Sequence, residues 1–119
     1  MIRKAQEQRH SQVLELKGGR GALSMSHFLE ESEAYGTGRQ FSVTTIPPGC
    51  SIGYHTHTGD FEIYYILGGE ATVNDNGAQD VLLPGDSIIC REGESHGVEN
   101  NGDCDLTFIS VIIYTKRPE

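Results

Sequence analysis

The chain has 119 residues and a formal net charge of −8, from nine Lys and Arg against seventeen Asp and Glu. One domain fits this length and a second full domain does not. The acidic balance argues against nucleic acid and anionic membranes as partners, and no apolar run approaches the about 20 residues of a membrane-spanning helix.

Positions 3–9 are mostly polar and suit a helical turn. No apolar segment follows their positive charges, so they do not form a secretory signal. Val13-Leu14-Glu15-Leu16 reads as a strand. Lys17-Gly18-Gly19-Arg20-Gly21 is a flexible basic loop, without the strand and GK[ST]-headed helix that would make it a phosphate cradle. Positions 28–34 suit a short helix or an irregular connection. Residues 1–35 are therefore expected to form an N-terminal arm, irregular or subunit-crossing, ahead of a single domain over 36–119.

From about Gly36 onward, Gly and Pro punctuate short stretches rich in Val, Ile, Thr, Phe and Tyr. This is the pattern of an all-β sandwich or barrel. Strands are expected over 40–46, 51–57, 62–67, 70–74, 79–83, 87–90, 97–100 and 106–114. Asn76-Gly77 favours positive φ and marks a tight hairpin turn. Pro47-Pro48-Gly49 and Pro84-Gly85-Asp86 mark further turns, and Asp86 and Glu94 read as turn formers. Two strands, over 61–67 and 108–113, carry apolar residues on both parities. Both of their faces are then covered, and in so short a chain the second cover is expected to be another subunit of a homodimer. Cys50, Cys90 and Cys104 form no CxxC pair; an odd count without a signal peptide fits reduced thiols in the cytoplasm.

The chemistry lies between Gly49 and Gly69. His55 and His57 share one strand parity, about 7 Å apart, and can converge on one ion. Thr58-Gly59-Asp60 allows a turn, after which Glu62 returns toward the same cavity. His96, beyond the second Pro-Gly turn, offers a third imidazole. Cys50 and Cys90 are not needed as ligands.

These residues resemble the cupins. Gly49, His55, His57, Glu62 and Gly69 satisfy the first cupin motif, G(X)5HXH(X)3-4E(X)6G, and the stretch from His55 to Ile63 is particularly similar to germin-like proteins. Gly85, Gly93, His96 and Asn100 match the second motif, G(X)5PXG(X)2H(X)3N, with Arg91 at the proline position, where it faces solvent or a ligand mouth. The resemblance implies a double-stranded β-helix, or jelly-roll, barrel in which His55, His57, Glu62 and His96 bind one divalent metal. Such nitrogen and oxygen ligation suits Mn, Fe, Co, Ni, Cu or Zn and disfavours Ca and Mg.

Two further side chains are candidate catalytic or ligand-orienting groups. Tyr64 shares parity with Glu62 and is expected to face the same cavity, as is Ile66. Arg39 begins a strand on which Phe41, Val43 and Thr45 share its parity; if that face points inward, Arg39 can hold a substrate carboxylate. Phe108, Ser110 and Ile112 are expected to line the barrel. The function expected is a mononuclear metalloenzyme acting on a small polar or carboxylate substrate by oxidation, isomerisation or decarboxylation. The alternative is a non-catalytic small-molecule binder or sensor, because no acid–base pair stands out beyond the ligands.

Overall fold

The computed structural model describes residues 1–116. Ten strands organise them: β1 (Arg9–Leu14), β2 (Ala22–His27), β3 (Gly38–Ile46), β4 (Ser51–Thr56), β5 (Asp60–Gly68), β6 (Ala71–Asp75), β7 (Ala78–Leu82), β8 (Ser87–Cys90), β9 (Ser95–Glu99) and β10 (Leu106–Tyr114). All pair antiparallel, in a six-stranded sheet ordered β1-β2-β3-β10-β5-β8 and a four-stranded sheet ordered β4-β9-β6-β7. The architecture is the expected all-β jelly roll.

Side chains alternate between the two faces of each strand, and this alternation divides the barrel interior into two ends. Along β5, Asp60, Glu62, Tyr64 and Ile66 are buried, and β10 sets Ile112, Ser110 and Phe108 opposite the last three. At the Ile66–Phe108 end lies an apolar plug that includes Ile46, Ala71, Val98 and Leu106. Fully burying each larger side chain of this kind is worth about 1.5–3 kcal/mol. At the Glu62 end the interior turns polar. Between the two ends, Thr44 and Ser110 are hydrogen-bonded through their hydroxyls at 3.0 Å, and Ser42 lies 3.4 Å from Thr44.

The β6–β7 hairpin has the two-residue turn that Asn76-Gly77 announces. Asp75 pairs with Ala78, and both turn residues have positive φ, 53° and 96°. That is the type I′ geometry, which matches the twist of the flanking strands. Asp86 and Glu94 act as turn formers: Leu83 N–H donates to Asp86 Oδ2 at 2.8 Å, and Arg91 N–H to Glu94 Oε1 at 2.9 Å.

Three placements differ from the sequence expectations. β9 begins at Ser95 rather than at 97, which brings His96 into the sheet directly opposite His55. Within the expected arm, the strand read over 13–16 runs instead over Arg9–Leu14, and Ala22–His27 is a second strand where the sequence predicts none: β1 pairs with β2, and β2 pairs with β3. The burial of Leu23, Met25 and His27 on one parity drives this, a pattern masked in the sequence by the intervening serines. Finally, β3 turns Ser42, Thr44 and Ile46 inward, not Phe41, Val43 and Thr45, because Ser110, Phe108 and Leu106 are their partners on β10.

The basic loop after β1 lies against β4. Glu15 and Lys17 adopt left-handed backbone angles (φ 48° and 55°), and Leu16 packs on the core. The Lys17 carbonyl comes so close to Gly53 that a Cβ there would collide with it. This places the loop over one end of the barrel.

Candidate metal centre

Four side chains from three strands and one turn converge inside the polar end. His55 comes from β4, His57 from the residue after it, Glu62 from β5 and His96 from β9. The backbone of His57 is fixed to the turn before β9: its N–H donates to Glu94 O at 3.0 Å, and its carbonyl accepts from Gly93 N–H at 2.7 Å. Glu62 Oε1 lies 3.1 Å from both His57 Nε2 and His96 Nε2, and 4.0 Å from His55 Nε2. One ligand atom from each of the four lies within 4.8 Å of all the others, so the cluster can hold a metal ion.

The hydrogen bonds behind two of the imidazoles decide where their protons are. His55 Nδ1 is 2.7 Å from the Gly53 carbonyl, which can only accept, so Nδ1 carries the proton and Nε2 a lone pair. His57 Nδ1 is 2.6 Å from Oδ1 of Asp60, a carboxylate paired with Arg39, and the same assignment follows. His57 Nε2 then faces Glu62 Oε1 at 3.1 Å and His96 Nε2 at 3.2 Å, lone pair toward lone pair, away from water. A bound cation or added protons must reconcile these atoms, and three imidazoles with one carboxylate form the mixed donor set that first-row transition metals favour. The residues present therefore fit such an ion.

Titration reflects the same crowding. Burial works to raise the Glu62 carboxyl, but once a proton rather than a metal settles between the Nε2 atoms and Oε1, hydrogen bonds from His57 and His96 outweigh burial and bring the group down to about 2. The hydrogen bond to Glu62 raises His57 against the opposing effect of burial, whereas burial lowers His55. His96 differs from the other imidazoles. Its Nδ1 is the one buried side-chain polar atom without a hydrogen-bond partner among the described residues. Its ring is held instead by Tyr64, stacked at a centroid distance of 4.9 Å.

A cavity of about 180 Å³ opens beside the cluster, lined by His55, His57 and Glu62 together with Arg39, Gln40 and Tyr64. It falls below the about 300–1,000 Å³ typical of pockets for drug-sized ligands and suits a molecule of few atoms. Lys17 and Leu16 of the basic loop form part of its wall. Burial holds the Tyr64 phenol well above its usual range, so Tyr64 stays a neutral hydroxyl.

Arg39 reaches the cavity by a route the strand parity does not provide. Gln40 pairs with Ile112, and Gly38 with the next residue, Ile113. Arg39 is thus the extra residue of a β-bulge, a feature that re-aims side chains. Its Nε donates to Asp60 Oδ2 at 3.0 Å. Asp60 is not among the residues that the sequence singles out as candidates. It shares parity with Glu62 on β5, and that parity is the signal that points to it.

Outside the cavity, Arg91 is solvent-exposed, 3.9 Å from Glu94. Asn100 is fully buried; it donates to the carbonyls of Ile46 and Cys104, both at 2.8 Å, and accepts from Gly102 N–H at 3.0 Å. Its motif position thus ties the loop after β9 to the end of β3.

The cupin domain family matches residues 42–112. The chain is 40% identical to an oxalate-binding protein of Thermotoga maritima over 113 residues, covering 95% of this chain and 93% of that protein. It superposes with a TM-score of 0.91 on the crystal structure of a predicted oxalate decarboxylase from Thermotoga maritima, at 39% identity, covering 96% and 99% of the two chains. A conserved protein with a double-stranded β-helix domain from Klebsiella pneumoniae superposes with a TM-score of 0.66 at 27% identity, covering 79% and 78%.

Proposed function

The chain belongs to the cupin family, and from that premise we propose that it holds one divalent transition metal on His55, His57, Glu62 and His96 and binds a small dicarboxylate of the oxalate class beside it. The observation that carries this reading is the composition of one small cavity. Three of the four donors, His55, His57 and Glu62, line it, and so does a guanidinium, that of Arg39.

The metal, whether Mn, Fe, Co, Ni, Cu or Zn, supplies Lewis acidity toward chelating oxygen atoms when bound. With its Nε engaged by Asp60, Arg39 has its two Nη groups left to pair with a carboxylate. Tyr64 presents its neutral phenol to the cavity as a hydrogen-bond donor for the ligand. Cavity size excludes extended substrates.

Of the reactions open to such a site, isomerisation has no product from a symmetric two-carbon diacid. Decarboxylation releases carbon dioxide and, with uptake of one proton, leaves formate; oxidation needs dioxygen in addition. Non-catalytic binding or sensing is the second reading. It is favoured by the absence, among the described residues, of any carboxylate or imidazole lining the cavity beyond the cluster itself.

Elemental analysis of protein purified without chelators, followed by incubation with carbon-13 oxalate and NMR of the products, separates the readings. Labelled formate or carbon dioxide supports an enzyme, and saturable binding without product supports a binder. Protein that carries no metal and takes up none rejects both.

The outward face of the larger sheet supports a homodimer. Tyr65, Leu67 and Ile89 are about half exposed there, beside Ile63, Ile109 and Val111. Cys50, Cys90 and Cys104 are all free, in keeping with a reducing cytoplasm. No helix among the described residues is long and apolar enough to cross a membrane.

A further inference from the structure

Asp60 is buried at the first position of β5 and divides its carboxylate between two partners. Oδ1 meets His57 Nδ1 at 2.6 Å, and Oδ2 accepts from Arg39 Nε at 3.0 Å. One partner belongs to the ligand cluster; the other lines the same cavity. We propose that Asp60 is a positioning residue that sets both ends of the site, fixing the lone pair of His57 toward the metal position and holding the Arg39 guanidinium at the cavity for a dicarboxylate. The inference rests on the metal-and-dicarboxylate reading and adds to it the residue that couples the two binding events.

The physical case has three parts. A neutral imidazole presents its Nε2 lone pair only while Nδ1 keeps the proton, and an acceptor behind Nδ1 is what fixes that tautomer. Without the Asp60 acceptor, His57 is free to place its proton on Nε2, directly against the other donors. Arg39 is a long side chain, 39% exposed, and ordering it costs rotamer entropy. An ion pair to a buried, immobile carboxylate supplies that order, and by engaging Nε it leaves the two Nη groups for a ligand. Finally, the bulge at Arg39 exists within otherwise regular β3–β10 pairing, and it brings the guanidinium to this carboxylate. Because one carboxylate serves both ends, disturbing it alters the two affinities together.

The test uses full-length protein, Co(II) as the metal probe and oxalate as the ligand probe. Asp60→Asn keeps the side-chain shape and removes the charge. The expected result is a fall of about 10–100-fold in Co(II) affinity by calorimetry, the range seen when groups behind metal-bound histidines are changed. A shifted visible spectrum of the Co(II) complex should accompany it. Oxalate affinity of the Co(II)-loaded protein falls as well, and Arg39→Ala added to Asp60→Asn lowers it little further. Co(II) affinity and spectrum equal to wild type in Asp60→Asn overturn the inference while leaving the four-ligand reading intact. Should Asp60→Asn fail to fold, nitrogen-15 NMR of metal-free wild-type protein at alkaline pH decides the matter. A His57 proton on Nδ1 is expected, and one on Nε2 overturns the proposal. Wild-type protein that takes up no Co(II) overturns the parent reading and this inference with it.

Discussion

Tyr64 lies nearly flat against the imidazole of His96, with the ring planes 13° apart. It also leans on Phe108 at a centroid distance of 4.5 Å, so one ring joins the apolar plug to the ligand cluster. The ring and the hydroxyl are separable by substitution. Tyr64→Phe should leave metal affinity unchanged and lower oxalate affinity about 5-fold, the worth of one hydrogen bond near 1 kcal/mol. Tyr64→Ala should cost about 3–5 kcal/mol in urea unfolding, as truncation of large buried aromatics does, and should weaken metal binding as well. Calorimetric titrations of both variants check this.

The metal itself should stabilise the fold. An ion that binds only the folded chain adds about 2.7 kcal/mol when free metal stands at 100 times its dissociation constant. Chelator treatment should therefore lower the melting temperature, and added metal should restore it. His96→Ala should melt at one temperature with or without metal, which differential scanning calorimetry reads directly.

Acid should unfold the metal-free protein in part through Glu62. Its folded value of about 2 lies below the ordinary 4.5. A lowered carboxylate gives stability that is present above its unfolded value and lost as pH falls through the folded one. The window is therefore about pH 4.5 down to 2. The urea midpoint should drop across it, and Glu62→Gln should flatten that drop. Glu33, also lowered to about 2 by its hydrogen bond from Arg3, contributes at the surface, where solvent screens it. Glu33→Gln should accordingly change the profile less.

Gly53→Ala should disturb the loop over the cavity, because the added methyl meets the Lys17 carbonyl. Overpacking of this kind costs about 1–3 kcal/mol. Oxalate affinity should fall, and metal affinity should fall with it if Gly53 is displaced, since its carbonyl holds the His55 Nδ1 proton. An unfolding midpoint and an oxalate affinity that both match wild type would contradict the close approach.

Charge on the outer face of the larger sheet should break a dimer. Leu67→Lys with Ile89→Lys places two ammonium groups among Tyr65, Ile63 and Ile109, without touching the barrel interior. Light scattering should read twice the 13.0 kDa chain mass for wild type and the single mass for the variant.

The sequence is most legible where one parity rule holds without interruption. Over β5 and β10 the alternation of Glu62, Tyr64 and Ile66, and of Phe108, Ser110 and Ile112, turns each side chain inward, although Ile66 packs in the apolar plug rather than at the cavity, and motif spacing brings the four cluster residues together. It is least legible where a single inserted residue reverses the count. Parity along β3 groups Arg39 with Phe41, yet the bulge separates them, and no local composition announces a bulge. Asp60 is hidden for another reason: next to Gly59 an aspartate reads as turn chemistry, and its partners His57 and Arg39 come from different strands' ends. β2 escapes the pattern because Ser24 and Ser26 dilute the apolar signal of Leu23 and Met25.

The ceiling of the chamber is made from a different part of the chain than its floor. Leu16 and Lys17 hang from the first hairpin, at the edge of the larger sheet, and no cluster residue lies within that hairpin. Lengthening or shortening those few residues would thus retune which guests fit while sparing the grip beneath. Diversification of guest preference, in the laboratory or over generations, has a natural place to begin there.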